Sequence, residues 1–365
     1  MGEIVAAIGT AHAPQFLTQP PSEDPQQLEA VFAALTELQR RLAAVQPDVV
    51  VILANDHVEN FYLNCVPPFT IFTGPEAHGH FAGKDFRYRG HPEFAYTLLE
   101  EGLRLGVDLA YTQEVRLGHS FVVPLHFLLA EPAPPVVPLF VNTYLPPQPW
   151  PARCYEVGQK LGHIIRQRPE RVAVIASGGL SHYPGTELYP HPDNAFDAEV
   201  LRLIERGQLH RLAAFRPEEL DQHGNLELLQ WLVMLGMMGK EPPSELVTYQ
   251  PSWHHGYAVV WWDMQAADQV PSRHYQYADP RRYGLNTALY TLMNELPLRR
   301  QFLVDADAAL TRFTLDPEER EAVKARDAKR LTRLGAHPFL AFMYDYNLKY
   351  ETPLEDEAVP ASATR

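Results

Sequence analysis

The sequence predicts an α/β fold in which helices flank a central β-sheet, followed by a small all-α domain at the C-terminal end. Over the first two thirds of the chain, short apolar runs rich in β-branched residues alternate with segments of helical periodicity. That alternation is typical of a sheet with helices on both faces. Beyond about residue 283 the apolar residues show helical spacing alone.

The first strand is predicted at 3–9, where the apolar run "EIVAAIG" ends in glycine. Apolar residues between Leu28 and Leu42 recur at three- and four-residue spacing, which predicts an amphipathic helix. The run "DVVVILAN" at 48–55 predicts a strand that is buried on both faces. The other predicted elements are helix 92–106, strand 107–113, helix 123–130, strand 136–142, helix 152–167, strand 171–177, helices 194–207 and 226–238, and a pair of strands in "ELVTYQ" and "GYAVVWWDM".

The polar, turn-rich stretch at 266–283 predicts a linker between two domains. We expect a first domain at 1–268, a helical domain at 277–350 and a disordered tail at 351–365. In the helical domain, "LDPEEREAV" predicts a helix that is capped by Asp316.

Composition excludes several classes of function. The chain has 365 residues, of which 46% are hydrophobic and 21% charged, so it can bury a globular core. A net charge of −14 argues against binding to nucleic acid or to an anionic membrane. Two distant cysteines predict no disulfide framework. Without a signal peptide or a long apolar segment, we expect a soluble, cytoplasmic protein.

Four histidines follow predicted strands. In open α/β sheets, ligands bind beyond the carboxyl ends of the strands, so these histidines are expected to converge. Because neutral imidazole is the commonest transition-metal ligand, the set suggests a metal site. They are His12 after the strand at 3–9, His57 after 48–55, His119 after 107–113 and His182 after 171–177.

A carboxylate ligand is predicted at Glu227, which lies among the apolar residues of the helix at 226–238. The alternative is an exposed helix residue, which is the usual environment of glutamate. Two histidines and one carboxylate would form a facial triad with open positions, which suits Fe(II) and oxygen chemistry. A zinc hydrolase could use the same ligands.

Six motifs together resemble the class III extradiol ring-cleavage dioxygenases. Residues 3–264 resemble the beta chain of the protocatechuate 4,5-dioxygenase type. The helical segment that begins "YGLNTALYTLMNEL" resembles the alpha chain of that type, and the fusion resembles the gallate dioxygenase arrangement. The motifs are "AHAP", "NDH", "GHPEFA", "LGHSFVVPL", "SGGLSH" and "NLELLQWLVMLG".

The resemblance implies Fe(II)-dependent extradiol cleavage of a catechol-like aromatic, with both atoms of O₂ entering the product. It makes His12, His57 and Glu227 the iron ligands. It places His182 as the catalytic acid/base and His119 as a second active-site histidine. The family usually shows Asp-His-Gly around the latter, whereas this chain has Gly-His-Ser.

Asp56, next to His57, has two interpretations, either orienting a ligand imidazole or capping its own loop. The family's carboxylate-binding loop reads "PSWHHGYAVV" here. Ser252, Trp253, His254 and His255 are therefore candidate substrate-binding residues, with loop packing as the alternative. Protocatechuate, gallate, a methylated gallate, an aminophenol or a dihydroxypyridine could fit.

The resemblance implies that the helical domain covers the pocket mouth and helps the chain form a homodimer or larger homo-oligomer. Two other readings remain. One is a non-catalytic binding protein of the same fold, and the other is the zinc hydrolase.

Overall fold

The computed structural model describes residues 2–266 and 280–350. The chain divides between Pro271 and Ser272 into two compact units. The predicted domain boundaries at 268 and 277 lie outside the described residues, as does the predicted tail at 351–365.

The first unit has a mixed eight-stranded sheet of order β10-β11-β1-β9-β2-β8-β3-β6 and a three-stranded sheet of order β5-β4-β7. Strands β1, β9, β2 and β8 are parallel neighbours, and β11 runs antiparallel beside β1. The strands are β1 (Glu3–Thr10), β2 (Val49–Ala54), β3 (Phe69–Phe72), β4 (Glu76–Phe81), β5 (Lys84–Arg89), β6 (Ala110–Thr112), β7 (Arg116–Leu117), β8 (Val136–Val141), β9 (Arg171–Ser177), β10 (Ser244–Pro251) and β11 (Gly256–Trp262).

Helices cover both faces of the large sheet, which confirms the predicted fold class. Along β2, Val49, Val51 and Leu53 enter one apolar core, and the alternate residues enter the other. The helices are α1 (Gln15–Thr18), α2 (Pro25–Val45), α3 (Pro92–Arg104), α4 (His119–Leu128), α5 (Pro151–Ile165), α6 (Asn194–Glu205), α7 (Leu209–Leu212), α8 (Pro217–Gln222) and α9 (Leu228–Met238).

Close packing of α5 on α9 places Glu227 at the edge of the sheet. Every residue of α9 is buried. A Cβ at Gly158 would lie 2.0 Å from the backbone oxygen of Val233, so only glycine permits this approach. Glu227 directly precedes α9 and is itself fully buried.

Some elements differ from the predictions. The hairpin of β4 and β5 was not predicted, because its alternating polar residues give no apolar run. The strand predicted at 107–113 is shorter, at Ala110–Thr112. The helix predicted at 123–130 begins earlier, at His119, because α4 continues through Pro124.

The second unit is helical. Its buried residues form one apolar core, separate from the two of the first unit. Asp316 caps α13, as predicted, and its carboxylate accepts from the backbone N–H of Glu319. The helices are α10 (Tyr283–Asn294), α11 (Leu296–Val304), α12 (Ala306–Leu310), α13 (Pro317–Lys324), α14 (Ala328–Arg333) and α15 (Pro338–Tyr350), with a 3₁₀ turn at Pro280–Arg282.

Aspartates mark the starts of two further helices of this unit. Asp305 begins α12 and Asp327 begins α14, and each carboxylate caps its own helix. Across residues 2–266 and 280–350, no helix is both long enough and apolar enough to cross a membrane.

Candidate metal centre and active site

The predicted site residues converge at one edge of the large sheet. His12 follows β1, His57 follows β2 and His182 follows β9, and these three strands are adjacent and parallel. His119 joins them by a different route. It is the first residue of α4, after the short strand β7, and does not directly follow the strand at 110–112.

One oxygen of Glu227 lies at the centre of the histidines. Its Oε1 is 3.2 Å from Nε2 of His12 and 3.9 Å from Nε2 of His57. The same oxygen is 3.7 Å from Nε2 of His182. The three predicted metal ligands are therefore brought within reach of a common point.

Hydrogen bonds orient the His12 ring towards that point. Its Nδ1 lies 3.1 Å from Oγ of Ser177, and that hydroxyl donates to the backbone oxygen of Ser120. The Ser177 oxygen is therefore the acceptor for His12 Nδ1–H. Nε2 faces Oε1 of Glu227, so it is the ring atom that a metal ion held by both groups would bind.

The His57 ring has an incomplete set of partners. Its Nε2 lies 3.2 Å from the side-chain nitrogen of Asn55, whose Oδ1 accepts from Gln230. Its Nδ1 is buried and has no hydrogen-bond partner among the described residues. Burial, together with the charge of His12, lowers the pKa of His57 to about 3, so the ring is neutral near pH 7.

Glu227 is ionised although it is fully buried. Burial alone would raise its pKa, but His12 and His182 hold that pKa well below the usual value. Its Oε2 accepts from the backbone N–H of Gly179 at 2.7 Å, and Oε1 accepts from the hydroxyl of Tyr144 at 2.9 Å. The alternative of an exposed helix residue is thus wrong for Glu227.

His182 is held so that Nε2 faces the same point. Its Nδ1 donates to the backbone oxygen of Leu180 at 2.7 Å, and Nε2 lies 2.6 Å from the hydroxyl of Tyr144. Burial alone would lower the pKa of His182, but the Glu227 carboxylate and the bond to Leu180 raise it above the usual value. The His255 ring stacks on His182 at 3.9 Å between centroids.

The ring of His119 packs beside the rings of His57 and His12. Its ring centroid is 4.1 Å from that of His57 and 5.5 Å from that of His12. Its neighbour Gly118 makes room for Glu59, because a Cβ there would lie 2.3 Å from Oε1 of that carboxylate. Burial and the charge of His57 lower the pKa of His119 to about 2.

Asp56 caps its own loop. Its carboxylate accepts from the backbone N–H groups of Asn60 and Phe61 and from the Asn60 side chain. Within the described residues it makes no hydrogen bond to an imidazole. The loop-capping interpretation therefore fits the observed contacts.

The candidate substrate residues divide into two pairs. His254 and His255 line a cavity of about 230 Å³ together with the four strand-end histidines. Ser252 and Trp253 are not among its lining residues, and the Trp253 indole N–H instead donates to Glu23. His255 Nε2 is buried, has no hydrogen-bond partner within residues 2–266 and 280–350, and lies against the backbone at Gly179.

The histidine-lined cavity holds the side chains that could bind a metal and transfer protons. It is smaller than the roughly 300–1,000 Å³ of drug-sized ligand sites, which suits a single ring. A larger, more open cavity of about 460 Å³ lies beside the proline-rich segment 128–135, and its lining contains no histidine. We therefore assign function to the histidine-lined cavity.

Tyr144 was not identified from the sequence. It follows β8, the next parallel strand beside β2, so the strand-end rule would have found it if applied to tyrosine as well as histidine. Burial and the charge of Glu227 raise the pKa of Tyr144 well above its usual value, so its hydroxyl stays protonated.

The donor set fits a divalent transition metal. A buried carboxylate ordinarily requires a cation, and no Lys or Arg pairs with Glu227 among the described residues. His12 and His57 both direct Nε2 at the same carboxylate oxygen, at 3.2 and 3.9 Å. Two groups without a common residue could each hold an ion by distance alone, and the predicted ligands come from both: His12, His57 and His119, and His182, Glu227 and His255.

Sequence models of known protein families match both parts of the chain. The sequence model of the catalytic LigB subunit of aromatic ring-opening dioxygenase matches residues 6–260. The model of the LigA subunit of the aromatic-ring-opening dioxygenase LigAB matches residues 285–347. The resemblance seen in the sequence motifs is therefore confirmed, for both parts of the chain.

Curated relatives match over a shorter stretch. The 2,3-dihydroxyphenylpropionate/2,3-dihydroxicinnamic acid 1,2-dioxygenase of Klebsiella pneumoniae (strain 342) is 34% identical over 164 residues, 44% of this chain and 52% of the relative. A similarly named enzyme of Pseudomonas putida is 35% identical with the same coverage. The chain thus spans about half the length of these relatives.

One solved structure, of an uncharacterized protein from Escherichia coli K12, gives a TM-score of 0.48 at 15% identity. It covers 71% of this chain and 99% of that one, a likeness too weak to support a shared fold.

Proposed function

Because the chain belongs to the family of the catalytic LigB subunit of aromatic ring-opening dioxygenases, we propose that it cleaves a catechol-like ring on the extradiol side with Fe(II) and O₂. The observation that carries the proposal is the buried Glu227 carboxylate, with Nε2 of His12, His57 and His182 within 3.9 Å of one oxygen. This arrangement supplies ligands and an acid/base group at one point.

In this proposal His12, His57 and Glu227 hold the iron. Fe(II) bound there would supply adjacent positions for the two substrate oxygens and O₂, and would mediate electron transfer between them. The protein prepares its ligands, because Ser177 orients His12 and the backbone N–H of Gly179 holds the far oxygen of Glu227. The lowered pKa of His57 and the lowered pKa of Glu227 favour the neutral imidazole and the ionised carboxylate that metal binding needs.

His182 is proposed as the acid/base. The Leu180 carbonyl accepts Nδ1–H, so Nε2 is the atom that takes a proton from a substrate hydroxyl and later returns it. Nε2 already shares a hydrogen bond with the hydroxyl of Tyr144, so a proton can move to or from this atom. The Tyr144 hydroxyl holds Nε2 in place until the substrate enters.

The other cavity residues are proposed to enclose the ring. His119 packs against His57, and His255 stacks on His182. Both rings would therefore limit how the substrate ring can be oriented in the cavity. Candidate substrates are catechols of the protocatechuate or gallate type, aminophenol or dihydroxypyridine analogues, and the dihydroxyphenylpropionate named for the relatives. Both oxygen atoms of O₂ enter the ring-opened product, so no external reductant is needed.

Oxygen uptake by anaerobically Fe(II)-loaded protein tests the proposal. The substrate panel is protocatechuate, gallate, 3-O-methylgallate, 2-aminophenol and 3,4-dihydroxypyridine, with product spectra recorded for each. We expect one O₂ per molecule consumed and a ring-opened product with at least one compound. Protein that binds one iron but consumes no O₂ with any compound would favour a binding protein of the same fold. Hydrolytic activity with zinc in place of oxygen uptake would favour the zinc hydrolase.

A further inference from the structure

A second buried carboxylate lies behind the wall of the cavity. Glu23 precedes α2 and its side chain is 1% exposed. Its Oε1 accepts from the indole N–H of Trp253 at 3.2 Å and from Nε2 of His254 at 3.1 Å. Its Oε2 accepts from the hydroxyl of Tyr257 at 2.9 Å. Three side chains thus direct their donors at one carboxylate.

These donors are neutral, so the cluster of Glu23, Trp253, His254 and Tyr257 carries a net negative charge. Burial lowers the pKa of His254 even though Glu23 opposes that shift. In the part of the chain that the structure describes, no Lys or Arg forms an ion pair with Glu23. A buried carboxylate without a cation is stabilised by the hydrogen bonds alone, and its field extends into the nearby cavity.

His254 connects this charge with the substrate. It lines the cavity, as does Tyr189, whose ring centroid lies 5.1 Å from that of His254. Since a carboxylate accepts only, Nε2 of His254 carries the proton that bonds to Glu23. Nδ1 is then the acceptor of the ring. A ligand that contacts this imidazole meets an acceptor with a negative charge behind it.

The described lining of the cavity contains neither Lys nor Arg. His182 is the lining histidine with a raised pKa, and it lies against Glu227, 3.7 Å from Oε1 of that carboxylate. A substrate carboxylate beside His254 would therefore add a second anion to a buried one. A hydroxyl or ammonium group at the same place could donate to Nδ1 instead.

We propose that Glu23, acting through His254, selects catechols whose ring substituent is a neutral donor or an amine, and disfavours those that carry a carboxylate there. The inference rests on the proposed ring-cleavage function and narrows its substrate class. It makes Glu23 a specificity-determining residue, because it acts on the substrate through the imidazole.

Three compounds with one ring and one substitution position form the test. They are 3,4-dihydroxybenzoate, 3,4-dihydroxybenzyl alcohol and 3,4-dihydroxybenzylamine. The kcat/KM for O₂ uptake is measured with Fe(II)-loaded wild type, Glu23→Gln and the control Glu29→Gln, an exposed glutamate on α2. A charge roughly 8 Å away changes the preference by roughly 5- to 30-fold for effective dielectric constants of about 40 to 20.

We expect the wild type to prefer the alcohol over the acid by a factor in that range. The amine and the acid differ by two unit charges, so the amine should be preferred over the acid by about the square of that factor. Glu23→Gln should reduce the preference for both to near unity, whereas Glu29→Gln should keep it. A wild type that uses the acid as well as the other two overturns the inference without any variant. So does a folded Glu23→Gln that keeps the wild-type ratio.

Binding separates this inference from the proposed function. If the iron-loaded protein consumes no O₂ with any compound, ring cleavage fails, and calorimetric affinities for the same three compounds still measure the selectivity. Tighter binding of the amine and alcohol than of the acid by wild type, lost in Glu23→Gln, supports the role of Glu23. Equal affinities for all three contradict it.

Discussion

Replacing Glu227 with glutamine should abolish metal binding while leaving the cavity its shape. The substitution keeps the size of the side chain but removes the one charge that faces His12, His57 and His182. In wild type, free metal at about 100 times its dissociation constant stabilises the folded state by about 2.7 kcal/mol. For a domain of this size that raises Tm by roughly 5–10 °C.

The variant should show almost none of this shift. Residues that only orient a metal ligand change metal affinity by up to about 100-fold when they are replaced. If the loss of the Glu227 carboxylate weakens metal binding by that factor, the same metal concentration stabilises the variant by about 0.4 kcal/mol. The expected rise in Tm is then about 1 °C. The rise in Tm on adding metal is compared between the two proteins, rather than Tm itself. This removes the effect of the substitution on the metal-free protein, where the Glu227 charge also stabilises the fold through His12 and His182.

The assay is anaerobic thermal unfolding with and without Fe(II), together with iron content after desalting. Glu23→Gln is the matched control, because it removes the other buried carboxylate beside the cavity with the same substitution. It should keep both the iron and the shift. A Glu227→Gln protein that retains one iron per chain and the wild-type rise in Tm would refute Glu227 as a ligand.

Three further outcomes are expected. His182→Phe should keep iron and the metal-induced Tm shift. It should lose nearly all turnover in the oxygen-uptake assay, because Nε2 is the proposed proton carrier. Activity that survives the substitution would exclude that role. Tyr144→Phe should also keep iron but lower kcat about tenfold or more, since the hydroxyl bonded to His182 is lost. If kcat and its pH profile are both unchanged, the contact between Tyr144 and His182 has no part in turnover. Burial raises the pKa of Asp197 from 3.8 to about 6, so between those pH values the folded state keeps a proton that the unfolded chain has lost. Relative to Asp197→Asn, the free energy of unfolding of the wild type should therefore fall by up to about 3 kcal/mol as the pH rises. Urea unfolding of both proteins from pH 4 to 7 measures this. A difference in free energy of unfolding that stays constant over that range would contradict the prediction.

The strand-end rule predicted from the sequence that several of the candidate site residues lie close together. His12, His57 and His182 follow long apolar strands, so their positions could be predicted from periodicity alone. Glu227 was harder, because its neighbours in sequence predict only a buried helix. Its burial depends on the contact of α5 with α9, which the sequence does not display.

Glu23 could not have been found in this way. It lies in "PSEDPQQ", a polar segment with two prolines that reads as an exposed loop with a helix start. Its burial depends on donors from a loop more than 200 residues further along the chain. Interactions at such a separation leave no periodic signal in a single sequence. The β4–β5 hairpin was missed for a related reason, since half of its residues face outward and are charged.

The direction of β11 explains why the two carboxylates, Glu23 and Glu227, contact different histidines of one cavity. Strands β1, β9, β2 and β8 run parallel, so their carboxyl ends deliver His12, His182, His57 and Tyr144 to one edge. Because β11 runs antiparallel beside β1, it begins at that same edge, and the residues just before it, His254 and His255, close the cavity there. The histidines after the parallel strands surround Glu227 at the metal centre, whereas the loop before β11 binds Glu23. The topology thus separates the group that binds the metal from the group proposed to select the ring substituent, and for this reason Glu23→Gln and Glu227→Gln should affect different steps.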